Sequence, residues 1–229
     1  MDLGLNIASA GMLAEQVQED QIANDLANAS TPGYKASSSE QQSFGSLLLA
    51  NTQTGQSIGS IDVGVEVSKN KTNLSQGPME ATGRALDFAI SGSGFFAVRT
   101  ANGIQYTRNG QFSVSSGGLL VDQYGNQVLS QTGAPIKVGA AGTVPTTALG
   151  LFNVNNPSQL GNNNFSGRAA AGRATGSVSS GELEGSGIDA IQAMVKMESA
   201  LNAYTAGQQT IGTISQTMQE SAQSVAQVP

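Results

Sequence analysis

The side chains that could perform chemistry in this sequence are carboxylates, hydroxyls and amines, because it contains no histidine and no cysteine. That absence removes imidazole bases, thiol nucleophiles, disulfides and nearly all zinc sites. Glu182 and Glu184 are near neighbours and could form the carboxylate pair of a glycosidase. They stand just before a predicted helix, however, where acids favour the dipole of the helix N-terminus. Asp189, at the start of the same helix, has the same explanation.

The remaining candidate groups lack the spacing that their chemistry requires. Gly92-Ser93-Gly94 is similar to a phosphate-binding loop, but no Lys-Ser or Lys-Thr follows it and strands are predicted on both sides. Asp62, Glu66 and Asp122 could bind calcium, yet the sequence has no D-x-D-x-D-G loop. A Ser–Lys dyad cannot be placed from spacing alone. We therefore predict that the protein is not an enzyme, binds no small-molecule substrate, and has no catalytic, cofactor-binding or metal site.

The composition is that of a polar, weakly charged chain with many turns. Only 11% of the 229 residues are charged, against about 25% in a usual soluble domain. The net charge of −6 divides into −5 for residues 1–34, +3 for residues 35–181 and −4 for residues 182–229. Two acidic ends around a mildly basic middle argue against a nucleic-acid partner, which needs a clustered basic patch.

The N-terminus bears on where the protein is located. The first basic residue is Lys35, so there is no basic segment of the kind that begins an ordinary cleavable signal peptide. No apolar run approaches the roughly 18 residues of a membrane span. This pattern is typical of a cytosolic protein, and export by a dedicated machine that reads an uncleaved N-terminus would leave the same pattern.

Long helices are predicted at both ends of the chain. Residues 3–28 carry two partial apolar stripes at helical spacing, and Pro32 and Gly33 then end the helix. Near the C-terminus, nine of the eleven positions that follow 4-3 spacing are apolar, which predicts a coiled-coil seam in a helix about 54 Å long. These positions are Ala190, Met194, Met197, Leu201, Tyr204, Gln208, Ile211, Ser215, Met218, Ala222 and Val225. Such a helix must pack against the N-terminal helix, against other subunits, or against both.

The middle of the chain is predicted to be a β-rich domain with antiparallel strands. Residues 61–67 alternate apolar and polar side chains, and Asn102-Gly103 is a strong hairpin signal between strands at 95–100 and 104–108. Further strands are predicted at 86–90, 111–114, 119–122, 127–129, 136–138 and 148–154. The Ser/Gln/Gly-rich residues 36–60 are interpreted as an extended linker, and residues 156–181 as a returning connection that does not fold alone.

Three segments, in order along the chain, resemble the signatures of bacterial flagellar rod and hook proteins. The central one comprises residues 77–83, 86–98, 106–112 and 118–121, which follow the pattern T-G-x-x-L-D-x-A-I-x-G-x-G-F-F-x-V, then Y-T-R-x-G-x-F. The C-terminal one, Gly181 to Ser186, is similar to the family's G-x-L-E-x-S entry into the last helix. The N-terminal one is formed by Asn24, Leu26, Ala27, Asn28, Thr31, Pro32, Gly33, Tyr34 and Lys35.

Three departures from the family pattern concern the subtype. Gly187-Ile188 stands where Asn-Val is usual, and residues 201–204 read LNAY where QRAY is common. The region between residues 139 and 181 is also shorter than expected for the distal-rod type. The chain is similar to both the proximal and the distal rod branches.

The resemblance implies an α+β fold in which the two long terminal helices pair in a coiled-coil-like manner around a central antiparallel β-rich domain. The implied divisions are 1–35 and 182–229 for the helices of an axial core, 36–60 for the linker, 61–155 for the β-rich domain and 156–181 for the return connection. The implied function is that of a structural rod subunit, polymerising helically into the hollow drive shaft that transmits torque to the hook.

The implied partners are further copies of the chain, other axial rod and hook subunits, and the flagellar type III export apparatus. The implied location is the basal body, outside the cytoplasmic membrane, without a cleaved signal peptide. We expect the subunit interface to be formed by Ile7, Ala14, Val17, Ile22, Leu26, Met194, Met197, Leu201, Tyr204, Ile211 and Met218.

An alternative function is a secreted adhesin or carbohydrate-binding β domain with a helical oligomerisation tail. Composition fits it, but the three ordered motifs do not. An adhesin would need exposed aromatic residues for its ligand, and the chain has four tyrosines and no tryptophan.

Overall fold

The computed structural model describes residues 2–39, 41–50, 57–67 and 71–226. Over these residues the chain forms helix α1 (Asp2–Ala27) and helix α2 (Ala190–Ala226), with antiparallel β-structure between them. The strands are β1 (Ser37–Ser38), β2 (Gln41–Ala50), β3 (Ser57–Val67), β4 (Lys71–Thr72), β5 (Met79–Ala81), β6 (Phe88–Ser91), β7 (Phe96–Thr100), β8 (Gly103–Thr107), β9 (Ser113–Val114), β10 (Leu120–Val121), β11 (Gln127–Val128), β12 (Phe152–Gln159), β13 (Asn164–Arg173), β14 (Ser177–Ser180) and β15 (Glu182–Glu184). The predicted α+β class, with a helix at each end, is confirmed.

The chain divides into two compact units. A helical unit contains residues 1–26, 37–71 and 190–229, and a β unit contains residues 27–36 and 72–189. The β unit is built on a seven-stranded antiparallel sheet in the order β12-β13-β8-β7-β11-β10-β9. Two smaller pairs, β14 with β6 and β15 with β5, bring the end of the β unit back to its beginning.

Strand β7 shows why the β unit folds around two apolar clusters. Successive side chains of a strand point to opposite faces of the sheet. Phe96 and Val98 accordingly enter one cluster, whereas Phe95 and Ala97 enter the other. All four are buried, so this strand lies at the centre of the fold. The hairpin to β8 turns at residues 101–102, as the Asn102-Gly103 signal predicts.

The structure differs from the sequence interpretation in three places in the β-structure. Residues 155–181 form most of β12, β13 and β14, although they are poor in apolar side chains. Phe165 is fully buried there, and one large anchor with backbone pairing to β8 suffices to order β13. Strand β3 pairs with β2, within the expected linker, and belongs to the helical unit. Residues 136–138 contribute only a single bridge, between Lys137 and Leu119.

In the helical unit, the least exposed positions of α2 follow 3-4 spacing but differ from the predicted seam at alternate positions. They are Ala190, Ala193, Met197, Ala200, Tyr204, Gly207, Ile211, Ile214 and Met218. Ala193, Ala200, Gly207 and Ile214 thus replace the adjacent Met194, Leu201, Gln208 and Ser215. A Cβ built on Gly207 would lie 2.7 Å from Met12 Cγ, and one on Gly4 would lie 3.9 Å from Ile214 Cδ1. The small residues of α2 therefore face α1 at a close approach, with the two helices antiparallel.

Among the described residues, neither helix is long and apolar enough to cross a membrane.

Candidate assembly site

The carboxylate of Glu184 joins four distant segments of the β unit. Lys35 Nζ donates to Glu184 Oε1 at 2.5 Å, and the Gly77 amide donates to the same oxygen at 2.8 Å. Arg108 Nη1 donates to Glu184 Oε2 at 3.1 Å, and the Gly33 amide donates to the Glu184 carbonyl at 2.7 Å. We name Gly33, Lys35, Gly77, Arg108 and Glu184 together the Glu184 junction.

The Glu184 junction is a buried electrostatic site with one anion and two cations. The Glu184 side chain is 0% exposed, Lys35 is 1% and Arg108 is 5%. Burial lowers the pKa of Lys35 below its ordinary value, although the hydrogen bond and charge of Glu184 oppose this shift. Arg108 also donates to the Gly92 carbonyl and lies over the Phe95 ring at 5.2 Å, which offsets part of its desolvation. Lys35 makes a similar bond to the Ser75 carbonyl.

The residues after α1 have the backbone shape that this site needs. The Thr31 amide bonds back to the Asn28 carbonyl, which closes the turn after the helix. Gly33 has a φ of +68°, and a Cβ there would lie 2.4 Å from the carbonyl carbon of Arg108. Only glycine fits so close to another backbone in this conformation. Next along the chain, the Tyr34 carbonyl accepts a bond from the Gly187 amide.

The junction brings together the three motif segments quoted from the sequence. Lys35 belongs to the N-terminal segment, Gly77 and Arg108 to the central one, and Glu184 to the C-terminal one. The sequence interpretation of Glu184 as an acid that complements the dipole of the last helix is wrong. Glu184 ends strand β15, and its charge is neutralised inside the β unit. The available signal was that three of the few charged residues of this weakly charged chain, Lys35, Arg108 and Glu184, lie inside the motif segments.

The predicted interface residues are distributed over both covered and exposed helix faces. Ala14 and Ile22 are buried; Ile7, Leu26, Met197, Tyr204, Ile211 and Met218 are half-buried; Val17, Met194 and Leu201 are exposed. Of the N-terminal motif, Gly33 and Tyr34 are buried, Leu26, Asn28, Thr31 and Pro32 are half-buried, and Asn24 is exposed.

Each helix also presents apolar side chains that are largely exposed among the described residues. On α2, Ile191, Met194 and Val195 share one face, and Ile191 is 77% exposed. On α1, Leu13 and Val17 share another exposed face. The α1 face continues to Asp20 and Asn24 at helical spacing, and the two faces differ in sequence.

Known proteins are similar to this chain in both helices and in the segments that meet at the junction. The flagella basal body rod protein family model matches residues 5–35, the flagellar hook protein FlgE/F/G D1 domain model matches 89–156, and the flagellar basal body rod FlgEFG C-terminal model matches 179–224. The chain is 30% identical to the flagellar basal-body rod protein FlgG of Agrobacterium fabrum, over 91% of this chain and 94% of that relative. The chain belongs to the flagellar basal-body rod protein family.

Relatives of two named types support this rod-family membership. The FlgG protein of Buchnera aphidicola subsp. Schizaphis graminum is 28% identical over 95% of this chain and 97% of its own length. The FlgF protein of Caulobacter vibrioides is 31% identical over 65% of this chain and 63% of its own length. These relatives are rod proteins and not enzymes, and the adhesin alternative is not favoured.

Proposed function

We propose that this rod-family chain is a structural subunit of the flagellar basal-body rod, polymerising helically into the hollow shaft that transmits torque to the hook. The observation that carries the proposal is the full-length similarity to FlgG proteins, which includes the motif segments that meet at Glu184. A rod subunit must combine a rigid domain with surfaces that remain available for its neighbours. The β unit, with its two buried apolar clusters, and the exposed helix faces supply these two properties.

The two exposed apolar faces support an open helical polymer. The α2 face (Ile191, Met194 and Val195) and the α1 face (Leu13 and Val17) differ, so a contact between them in successive copies is heterologous. Heterologous contacts generate a ring if the rotation closes and a helical filament if it does not. Further copies of this chain and other axial subunits are therefore the partners that fit these faces.

The pairing of α1 with α2 would form the inner core of the subunit. The close approaches of Gly207 to Met12 and of Gly4 to Ile214 support antiparallel pairing. Much of the stability of a helix comes from packing an apolar face. The exposed face of α2 would gain this packing from a neighbouring subunit, so we expect both helices to become more ordered on assembly. The predicted interface residues would then divide between contacts within a subunit and contacts between subunits.

Export and location follow the same proposal. A rod lies outside the cytoplasmic membrane, and we propose that the flagellar type III apparatus exports the chain with its N-terminus uncleaved. The absence of cysteine suits a part assembled outside the cytoplasm.

Two matched isoleucine substitutions test the assembly surface. Ile191→Ser removes an apolar side chain from the exposed α2 face, and Ile104→Ser removes one that is 52% exposed in the β unit. Exposed substitutions change folding stability by only about 0.5 kcal/mol. Each variant would replace the native gene in the bacterium, with motility and the tagged subunit in isolated basal bodies as readouts. We expect Ile191→Ser to reduce both at least several-fold and Ile104→Ser to leave both unchanged.

The outcome that refutes the rod function is separate from the outcome that refutes the surface. If the tagged native chain is absent from isolated basal bodies, the chain is not a rod subunit. If it is present and Ile191→Ser assembles normally, the function stands and the α2 face is not the contact.

A further inference from the structure

The Glu184 junction joins the segment that follows α1 to the segment that precedes α2. Two backbone bonds connect them directly, from the Gly33 amide to the Glu184 carbonyl at 2.7 Å and from the Gly187 amide to the Tyr34 carbonyl at 2.9 Å. The buried ion pair of Lys35 with Glu184 adds a third connection. These contacts lie inside the β unit and involve no residue of either helix.

The junction limits how far apart the adjoining helix ends can be. Tyr34 comes seven residues after Ala27, the last residue of α1, and its bonded partner Gly187 comes three residues before Ala190, the first residue of α2. At about 3.5 Å per extended residue, plus about 5 Å between the Cα atoms of the bonded pair, the helix ends are at most roughly 40 Å apart. Without the junction, the two helix ends are 163 residues apart along the chain.

We propose that the Glu184 junction is the device that keeps the pairing of α1 with α2 within one chain. This inference rests on the helix pairing used in the proposed function. It adds that the junction favours pairing of α1 with α2 of the same chain over pairing with α2 of another chain. When the ends of α1 and α2 are held this close, each helix has an effective concentration in the millimolar range for the other. Loop-closure entropy sets the upper limit of the advantage at about 65-fold, from the three-halves power of 163 over ten. A loosened junction would allow α1 of one chain to pair with α2 of another.

Exchange of helices between chains would matter in a protein that must leave the cytoplasm unpolymerised. Domain swapping is a low-cost route to unwanted oligomers when the connection of the exchanged element is loosened. The junction opposes this route without occupying the exposed helix faces. It therefore separates pairing inside the subunit from contacts between subunits.

Disulfide trapping in the full chain tests the inference, because the sequence has no cysteine of its own. The pair Met12→Cys and Gly207→Cys is suitable. Met12 Cγ lies 2.7 Å from a Cβ built on Gly207, so the two Cβ atoms are no more than about 4.2 Å apart, within disulfide range. At about 10 μM protein, oxidation should give almost entirely intrachain bonds in the parent with this pair, since that concentration is at least a hundredfold below millimolar. Non-reducing electrophoresis and intact mass distinguish these from covalent dimers.

Three variants in this background provide the comparison. Glu184→Gln leaves both cations of the junction unpaired, and Lys35→Met is milder because Arg108 and Gly77 still bind Glu184. Glu182→Gln, two residues away on β15, is the control. We expect the covalent-dimer fraction to rise at least tenfold in Glu184→Gln, less in Lys35→Met, and not at all in the control. Cooperative thermal melting shows which variants keep a folded β unit, and Lys35→Met carries the test if Glu184→Gln does not fold.

The remaining outcomes separate this inference from the proposed function. A dimer fraction equal to that of the parent in every folded junction variant would overturn the inference and leave helix pairing intact. Dimers in the parent itself would also overturn it. If the parent forms neither intrachain nor interchain disulfides, α1 and α2 do not pair at this position. That result would refute the helix pairing of the proposed function, and the inference about the junction would fall with it.

Discussion

Two glycines of α2, Gly207 and Gly212, provide a direct test of the approach between α1 and α2. Replacing a helical glycine by alanine normally stabilises the helix by about 1 kcal/mol. At Gly212, no atom of the described residues outside the local helix backbone lies within 4 Å of the position that a Cβ would occupy. Gly212→Ala should therefore gain about that amount. At Gly207 the new Cβ would lie 2.7 Å from Met12 Cγ, well inside van der Waals contact, so Gly207→Ala must displace the Met12 side chain.

The expected difference follows from the size of the displacement. Overpacking a well-packed site by one methyl group costs roughly 1–3 kcal/mol, which cancels or exceeds the propensity gain. We expect Gly207→Ala to be neutral or destabilising and Gly212→Ala to be stabilising, measured by thermal unfolding of helical circular dichroism at 222 nm.

A third substitution makes the assay specific for the contact. In a Met12→Ala background the Gly207→Ala variant should recover the full gain of about 1 kcal/mol, which gives a coupling energy in the usual range for touching residues. If Gly207→Ala stabilises the chain as much as Gly212→Ala does, with Met12 present, then the helices do not approach there and the antiparallel pairing is refuted.

Three further predictions concern charge and pH. Glu184→Gln should lower the free energy of urea unfolding of the β unit by about 3–5 kcal/mol, because it leaves two buried cations without a counter-charge; a loss no larger than that of Glu182→Gln would show that the junction is not a buried ion pair in solution. Burial raises the pKa of Tyr106 above its ordinary value of 10.0. The neutral phenol therefore contributes its full stabilisation below pH 10, and this contribution is lost as pH rises through the raised pKa. Tyr106→Phe should remove this alkaline loss from the free energy of unfolding, and an unchanged pH profile would contradict the prediction. Raising salt from about 0.01 M to 0.15 M should stabilise the acidic helical unit, because the Debye length falls from about 30 Å to 8 Å; a lower helix melting temperature in higher salt would contradict it.

Much of the architecture was readable from local patterns in the sequence. Both terminal helices begin and end within about two residues of the predicted bounds, because Pro32 and Gly33 stop α1 and the long apolar repeat defines α2. The Asn102-Gly103 hairpin is where the turn chemistry placed it. These features depend on residues close in sequence, for which spacing and propensity are informative.

The face of α2 that meets α1 could not be read in the same way. The sequence favoured Met194 and Leu201 as seam residues because they are large and apolar. The structure instead buries Ala200, which is only 2% exposed, and leaves Leu201 exposed. A close helix approach selects small residues, and hydrophobic periodicity cannot distinguish that preference from a conventional coiled-coil seam. Residues 164–173 were missed for a related reason, since β13 is ordered mainly by backbone pairing to its neighbours.

Charge is distributed unequally between the two units of this chain. The helical unit carries ten acids and three bases, a formal charge of −7, whereas the β unit carries six acids and seven bases, a formal charge of +1. Exposed charge of one sign on the helices opposes contact and is relieved by salt. The three charges of the Glu184 junction are buried, so salt screens them little and each depends on its partner. The junction therefore holds the two chain segments together under conditions in which the helices repel, and this is what a subunit that pairs its helices before polymerising requires.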